Sequence, residues 1–351
     1  MIDLNMYGWN STLNQLKQAS IHKALFHGRI AIVHRTCYDV VSENGMFQCE
    51  LTGNMMFGKS HFELPCVGDW VIFQPFDDSK GIIVDMLTRD RTLYRKKSGT
   101  VADKQAIASY VDKAFIVQSL DDDFNVRRAE RFIIQIIEAK INPVLVFNKA
   151  DLGFDKDSIR EATKHFVHQV PMLFTSIHLP QTIYQLREAI AEGETAVFVG
   201  SSGVGKSSLV NSLCDRPLLL TSDISSSTGK GKHTSTRREM VLMERSGVLI
   251  DTPGVREFGI AIEDSGSLAE ILDISDYAEL CRFKDCEHMD EPGCAVLEAV
   301  NNSTLDRKVY ESYLKLRREA WHFSTSEHEK RKRGKSFSKI LEEVKKRKSN
   351  L

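Results

Sequence analysis

The sequence lacks a long apolar run, an apolar N-terminal leader and an excess of charge of either sign. No stretch approaches the roughly 18 apolar residues that a membrane helix requires. The first residues, Met1 to Leu16, show no basic flank followed by an apolar core. We therefore expect a cytoplasmic protein without a membrane partner. The net charge of −1 indicates nothing about partners, so the distribution of charge carries the information.

Positive charge is concentrated at the C-terminus. From Lys330 onward there are ten Lys or Arg and two acidic residues, Glu342 and Glu343, so the rest of the chain is net acidic. Within this tail, apolar residues follow helical spacing at Phe337, Ile340, Leu341 and Val344. An amphipathic basic helix suits an RNA or membrane surface. A solvated tail that aids solubility is the alternative.

The 351 residues are enough for two or three domains. We predict an irregular N-terminal arm (1–27), a β-barrel (28–93), an α/β domain (94–262) and a helical domain that ends in the basic tail (263–351). The barrel is predicted from short β-like runs at 29–35, 38–42, 46–51, 69–73 and 81–87. Five short strands of this size indicate an OB-fold. Strand pattern alone leaves open whether the barrel binds a partner or only packs against its neighbour.

In the α/β domain, apolar strands alternate with helical segments. The predicted strands are 114–119, 144–147, 172–175, 196–199, 240–244 and 248–250, and 126–140 is an amphipathic helix. This alternation predicts a mostly parallel sheet with helices on both faces.

A phosphate-binding loop follows one of these strands. Its residues are Gly200, Ser201, Ser202, Gly203, Val204, Gly205, Lys206 and Ser207. They fit G-x-x-x-x-G-K-[ST] between a strand and a helix, as the motif requires. We expect backbone N–H groups to surround the phosphates, Lys206 to reach the β- and γ-phosphates, and Ser207 to coordinate Mg²⁺. The alternative is a glycine-rich turn without a ligand.

A second motif selects the base. The residues Asn148, Lys149, Ala150 and Asp151 end another strand. The Asp151 carboxylate can accept both N–H donors of guanine, whereas adenine offers no matching pair. The stem of Lys149 can cover the base face. The segment Thr175–Ile177, which includes Ser176 and ends the next strand, is placed to supply a backbone contact to the base, and the alternative is an ordinary strand end. Together with the phosphate loop, these residues predict a GTP site and argue against an ATPase or kinase.

The segment from Asp251 to Gly254 ends a third strand. We expect Asp251 to hold Mg²⁺ through water and the backbone N–H of Gly254 to contact the γ-phosphate. The segment before it, from Thr221 to Thr236, is rich in Ser, Thr, Gly and Lys, and we expect it to be mobile. One of its hydroxyls should complete the Mg²⁺ coordination, and the candidates are Thr234, Ser235 and Thr236.

Many GTPases carry a glutamine directly after the Asp-x-x-Gly motif, where it orients the attacking water. Here that position is Val255, which cannot form a hydrogen bond. Another group must orient the water, and His233 is the candidate. The alternative is that His233 is an ordinary polar loop residue.

Four potential metal ligands lie within fourteen residues: Cys281, Cys286, His288 and Cys294. Three thiolates and one imidazole suit tetrahedral Zn²⁺. With four protein ligands no coordination position stays open, so the site should be structural. A small helical module has little core, and a metal would stabilise it. The alternative is three buried cysteines beside a surface histidine.

The order of the motifs is unusual, because the base motif precedes the phosphate loop. Circular permutation of an ordinary GTPase gives this order. A barrel, a permuted GTPase domain and a Cys/His module together resemble the small-subunit-dependent ribosomal GTPase family (RsgA, also called YjeQ or YloQ). The resemblance covers roughly residues 28–300 and rests on 148–151, 200–208 (which adds Ser208), 231–236, 251–254 and the Cys/His cluster. Consecutive threonines usually follow the family's histidine, and here the second is Ser235.

The resemblance implies a monomeric late maturation factor of the small (30S) ribosomal subunit. It implies that GTP is hydrolysed to GDP with stimulation by the subunit, that 16S rRNA is contacted, and that His233 is catalytic. The competing hypothesis is a nucleotide-gated RNA-binding module whose own hydrolysis matters little. The two differ in whether small subunits accelerate turnover.

Overall fold

The computed structural model describes residues 1–56, 62–96, 104–120, 124–163, 170–214, 238–251, 268–269, 272 and 274–324. The chain divides into two compact units. One comprises Met1–Arg95 and Lys104–Gly259, and the other comprises Lys96–Asp103 and Ile260–Leu351. Among the described residues, no helix combines the length and the apolar content needed to cross a lipid bilayer.

The described residues form thirteen strands and nine α-helices. The strands are β1 Phe26–Val33, β2 Tyr38–Ser42, β3 Gly45–Leu51, β4 Trp70–Asp77, β5 Lys80–Met86, β6 Leu93–Lys96, β7 Lys104–Ala108, β8 Lys113–Ser119, β9 Asn142–Asn148, β10 Met172–Thr175, β11 Thr195–Gly200, β12 Glu239–Leu242 and β13 Val248–Asp251. The helices are α1 Ser11–Ala19, α2 Gly53–Met56, α3 Val126–Glu138, α4 Lys156–Thr163, α5 Pro180–Glu188, α6 Lys206–Leu213, α7 Ser275–Ala278, α8 Ala295–Asn301 and α9 Arg307–Ser324.

The five predicted barrel strands are present as β1 to β5. They are hydrogen-bonded in the order β1-β2-β3-β5-β4, and β4 returns to β1, which closes the barrel. On β3, Phe47 and Cys49 are buried and Gln48 and Glu50 are exposed, as the alternation predicts. The buried side chains of the five strands form the core of the barrel.

The α/β sheet has the order β10-β9-β8-β11-β13-β12. Its first five strands pair in parallel, and β12 pairs antiparallel with β13. This confirms the mostly parallel sheet. All six residues of the central strand β11 are buried, as expected for a strand covered on both faces. The carboxyl ends of β8, β9, β10 and β11 meet at one edge, where ligands bind in such sheets.

The sheet of the barrel and the α/β sheet are continuous. The first barrel strand, β1, pairs with β12 at Ile32 and Glu239. The two regions also share one hydrophobic core, to which Trp70 of the barrel and Ile250 of the α/β sheet both belong. The sequence analysis predicts that the barrel and the α/β region are separate domains. That division stays a prediction.

The irregular N-terminal arm was a wrong prediction, because the arm contains a 3₁₀ turn at Leu4–Tyr7 and helix α1. The side chain of Asn10 accepts a hydrogen bond from the backbone N–H of Leu13 and caps α1 at its N-terminus. Leu4 and Leu13 are buried against the common core. A helix of nine residues with few apolar side chains gives a weak periodic signal, so its stability comes from this packing.

The arm, the barrel and the α/β sheet are joined by one buried guanidinium. Arg29 on β1 is 1% exposed. Its hydrogen-bond acceptors are the carbonyl oxygens of Tyr7, Gly68, Ser109 and Tyr110 and the hydroxyl of Thr195. Burial lowers the pKa of Arg29 to about 10, so the group remains charged at neutral pH. Its positive charge is compensated by oxygen dipoles from all three regions.

Replacing Arg29 with methionine should destabilise this unit strongly. A buried acceptor left without a donor costs about 1–3 kcal/mol, and Arg29 serves five of them. We expect Arg29→Met to lower the free energy of unfolding by at least about 3 kcal/mol. Urea titration followed by tryptophan fluorescence measures it, since the guanidinium lies 5.6 Å from the Trp70 ring. The exposed Arg35 provides the control Arg35→Met. Equal unfolding midpoints for the two variants would contradict the assigned role of Arg29.

Candidate functional site

The phosphate loop connects β11 with α6 at the centre of the sheet edge. Three of its glycines have positive φ: Gly200 at +144°, Gly203 at +85° and Gly205 at +93°. A Cβ atom at Gly200 would lie 2.4 Å from the carbonyl oxygen of Val117 on β8. The loop can therefore turn closely over the neighbouring strand only because this residue has no side chain.

Within the loop, Lys206 folds back over the turn. Its Nζ donates hydrogen bonds to the carbonyl oxygens of Gly200, at 2.8 Å, and Ser201, at 2.5 Å. Lys206 is also the first residue of α6, so its charge lies at a helix N-terminus whose backbone N–H groups face the same space. A site with these donors suits an anion such as a phosphate group.

The predicted base motif lies beside this loop. Asn148 ends β9 and is 4% exposed. Its Nδ2 donates to the carbonyl oxygen of Val204 at 2.8 Å, and its Oδ1 accepts from the Thr175 hydroxyl at 3.2 Å. A Cβ atom at Gly205 would lie 2.2 Å from Asn148 Nδ2. The amide thus joins the base motif, the end of β10 and the phosphate loop.

The sequence analysis placed Thr175 in a segment that supplies a backbone contact, but it did not predict the hydrogen bond of the Thr175 side chain to Asn148. Thr175 belongs to β10 and pairs with Asn148 in the parallel register. The available signal was its position directly before Ser176 at the end of a predicted strand.

Asp151 is held in place from the end of β10. It lies in the 3₁₀ turn Ala150–Leu152, which Lys149 opens with a φ of +63°. The hydroxyl of the buried Ser176 donates to Asp151 Oδ1 at 2.5 Å, and this hydrogen bond holds the pKa of Asp151 below its usual value. The backbone N–H of His178 donates to the same hydroxyl oxygen at 3.0 Å. The carboxylate is therefore ionised, oriented and exposed, as an acceptor for a ligand must be.

The remaining nucleotide-site predictions concern the Mg²⁺ side and the water. Ser207 and Ser208 lie in the first turn of α6 and are half-buried. The backbone places Asp251 at the end of β13, whose register brings Ile250 beside Val197 of β11. Residues outside the described part of the chain are His233, Thr234, Ser235, Thr236, Gly254 and Val255. The basic tail after residue 324 lies outside it as well.

The four predicted metal ligands come together in the second unit, in the segment from Cys281 to Cys294. Their ligand atoms all lie within 4.8 Å of one another. The sulfur atoms of Cys281 and Cys294 are 3.9 Å apart, and each lies 3.5 Å from Nδ1 of His288. Zinc–sulfur bonds of about 2.3 Å in a tetrahedron imply sulfur–sulfur distances of about 3.8 Å. The cluster has the size and the donor set of such a site.

Two contacts fix the loop that carries these ligands. The Tyr310 hydroxyl of α9 donates to the carbonyl oxygen of His288 at 2.7 Å. The Glu291 carboxylate accepts backbone N–H groups from Glu287, Met289 and Asp290 at 2.8 to 3.2 Å. These hydrogen bonds, with that of Glu287 the strongest, lower the pKa of Glu291 to about 2. The sequence analysis missed Glu291, which gives no signal apart from its place between ligands.

Two family models match the chain. The model described as RsgA GTPase matches residues 86–261, which is half of the sequence. A model described as 50S ribosome-binding GTPase matches residues 195–347. Its match begins at Thr195, the first residue of β11, and so omits the base motif at 148–151. An unpermuted GTPase begins with the phosphate-loop strand, so this boundary agrees with the permuted order.

Curated relatives and solved structures agree with the first model. The chain is 70% identical to "Small ribosomal subunit biogenesis GTPase RsgA 1" of Bacteroides thetaiotaomicron, over 99% of this chain and 98% of the relative. It is 36% identical to RsgA 2 of Listeria monocytogenes, over 91% and 90%. YjeQ from Thermotoga maritima superposes with a TM-score of 0.64 at 26% identity, over 84% and 98% of the two chains.

The fold of YloQ, described as a circularly permuted GTPase, matches with a TM-score of 0.63 at 24% identity, over 87% of this chain and 98% of that one. Permuted motif order, sheet topology, family model and relatives all point the same way, and the chain belongs to the RsgA family of GTPases.

Proposed function

We propose that this chain hydrolyses GTP to GDP and phosphate during late maturation of the small ribosomal subunit, and that the subunit stimulates the hydrolysis. Relatives that cover nearly the whole chain carry the name small ribosomal subunit biogenesis GTPase. The family assignment gives the GTPase activity. The small subunit as partner and its 16S rRNA as binding surface are carried over from these relatives.

The hydrogen bond between the base motif and the phosphate loop is the observation that supports GTP as the substrate. Asn148 donates a hydrogen bond to the carbonyl oxygen of Val204 in that loop, and Asp151 lies in the short turn that follows Asn148. The Asp151 carboxylate is therefore only one short turn away from the residues that would surround the phosphates. The carboxylate would accept N1–H and the exocyclic amine of guanine. The Lys149 stem would cover the base face, and the backbone at Ser176 would contact the base edge.

The phosphates would lie along the loop from Gly200 to Ser208, with Lys206 moving its donors to the β- and γ-phosphate oxygens. Ser207, Asp251 and one of Thr234, Ser235 or Thr236 would hold Mg²⁺. When bound, this ion neutralises charge that develops on the phosphate oxygens. The backbone N–H of Gly254 would contact the γ-phosphate.

We assign orientation of the attacking water to His233, because Val255 cannot supply the hydrogen bond of the usual glutamine. An imidazole can accept a proton from water near neutral pH or position it. The dependence on one loop histidine gives the subunit a means of stimulation, since a partner that places His233 would accelerate turnover.

Other parts of the proposal rest on composition. The basic tail after Lys330 would contact rRNA phosphates without sequence preference and in a salt-dependent way. We keep as part of the proposal the division of the chain into an arm (1–27), a barrel (28–93), a GTPase domain (94–262) and a helical domain (263–351). We propose that the protein acts in the cytoplasm as a monomer.

We propose that Cys281, Cys286, His288 and Cys294 hold one Zn²⁺. The support is the fit of the sulfur–sulfur and sulfur–nitrogen distances to a tetrahedral site. With no open coordination position the ion would be structural, and its binding free energy would stabilise the short helices α7 and α8.

Asp151→Asn should change the base preference. The new amide offers a donor where guanine needs an acceptor, so we expect the Kd for GDP to rise by at least about 100-fold. Xanthosine diphosphate carries a carbonyl oxygen at that position, so its Kd should fall. Competition against a fluorescent nucleotide measures both constants. Asp155→Asn is the control, because Asp155 is exposed nearby and its oxygen accepts from Asp157 N. An unaltered base preference would refute the assignment of Asp151.

His233→Ala should separate binding from turnover. We expect GTP affinity within about twofold of native and turnover lowered about 10²- to 10⁴-fold, the usual contribution of a positioned acid–base group. Phosphate release is measured with and without purified small subunits. His22→Ala, on the N-terminal arm, is the matched control. Unchanged turnover of His233→Ala would exclude the catalytic role. A native protein that small subunits do not accelerate would favour the nucleotide-gated RNA-binding module.

The native protein should contain one zinc ion per chain by elemental analysis. Cys281→Ser is expected to lose it and to lower the thermal unfolding midpoint of the second unit, because the ion replaces a missing core. Cys37→Ser, outside the cluster, should keep both properties. Zinc content that is equal in all three proteins would argue against the site.

A further inference from the structure

A basic side chain outside the known motifs reaches the phosphate loop. Arg128 lies in the first turn of α3, and its Nη1 donates to the Ser201 hydroxyl oxygen at 2.6 Å. Because the donor is a charged guanidinium, this is a charge-assisted hydrogen bond. No motif of the sequence analysis includes Arg128, and no step of the proposed hydrolysis uses it.

The start of α3 holds Arg128 in a defined place. Asn125 caps this helix, and its Oδ1 accepts the backbone N–H of Arg128 itself at 3.0 Å. The following turn is anchored by Ala129, Ile133 and Ile136, which are buried in the core of the sheet. The guanidinium therefore extends from a fixed backbone. Its hydrogen bond restricts the position of Ser201 more than it restricts the position of Arg128.

Ser201 connects Arg128 to the phosphate lysine. While its hydroxyl accepts from Arg128, its carbonyl oxygen accepts from Lys206 Nζ. Side chain and carbonyl belong to one residue, so fixing the hydroxyl limits the rotation of the peptide group that orients the lysine. Lys206 is the donor that must meet the β- and γ-phosphates. Helix α3 is thus connected to the phosphate position through Arg128, Ser201 and Lys206.

We propose that Arg128 is a positioning residue for phosphate binding, which holds Ser201 and through it the orientation of Lys206. This deepens the proposed function, because it rests on GTP occupying the phosphate loop. Arginine suits the task better than lysine, since its planar donors are pre-organised and lose less conformational freedom when they bind. An arginine on α3 also adds positive potential behind the loop.

The test is a double-mutant cycle on nucleotide affinity. Arg128→Gln and Ser201→Ala each remove the hydrogen bond from one side, and we expect each to raise the Kd for GTP and GDP about tenfold, the usual effect of a lost charge-assisted hydrogen bond. The double variant should be no weaker than either single variant, because all three lack the same bond. Arg128→Lys, which retains a donor and the charge, should recover part of the affinity.

Two comparisons separate positioning from general damage. The affinity for GMP should stay within about twofold in every variant, because GMP has no β-phosphate for Lys206 to meet. Arg127→Gln is the matched control, since Arg127 is the exposed neighbour of Arg128 on the same helix. It should bind all three nucleotides like the native protein.

The outcomes distinguish this inference from the proposed function. A native protein that fails to bind GTP refutes the proposed function itself. If the native protein binds GTP, then unchanged affinity in Ser201→Ala overturns the role of Arg128. The role of Arg128 is also overturned if the affinity loss of the double variant equals the product of the two single losses. It is overturned as well if the affinity for GMP falls as much as the affinity for GTP. Ser201→Ala removes a single half-buried hydroxyl from a loop, so it keeps the test valid if Arg128→Gln does not fold.

Discussion

The side-chain amide of Asn148 lies where the ends of β9 and β10 meet the phosphate loop. It donates to the carbonyl oxygen of Val204, 56 positions further along the chain, and accepts from the Thr175 hydroxyl. Gly205 has to be glycine because the amide occupies the space of its Cβ. The segments that we propose to bind the base and the phosphates are otherwise far apart in the sequence. This one buried group fixes the base motif against the phosphate loop, the two segments that we propose to bind GTP.

Much of this site could be predicted because each half is encoded locally. The run Gly200 to Ser207 and the run Asn148 to Asp151 each combine backbone freedom with specific donors or acceptors, and each follows an apolar strand. Parallel strands bring their carboxyl ends to one edge, so local motifs imply a common site without knowledge of the contacts. The Cys/His cluster was predictable for the same reason, since its ligands lie within one short segment.

What the sequence did not reveal depends on contacts between distant segments. Arg29 looks like any charged residue of a strand, and its burial follows from acceptors on residues 7, 68, 109, 110 and 195. The pairing of β6 with β7 and that of β1 with β12 depend on partner strands rather than on periodicity. Arg128 and Thr175 act through side chains that reach a motif from outside it. Helix α1 is stabilised by packing more than by its own propensity.

The strand order has a consequence for synthesis on the ribosome. β8 lies between β9 and β11, but β11 begins only at Thr195. While the chain grows, β8, β9 and β10 can pair before β11 exists, and the backbone N–H and C=O groups along the edge of β8 that β11 later pairs with then lack partners. An unpaired edge is a template for association with other chains. The permuted order therefore obliges the nascent protein to pass through a half-built sheet in which one edge of the buried strand β8 is open.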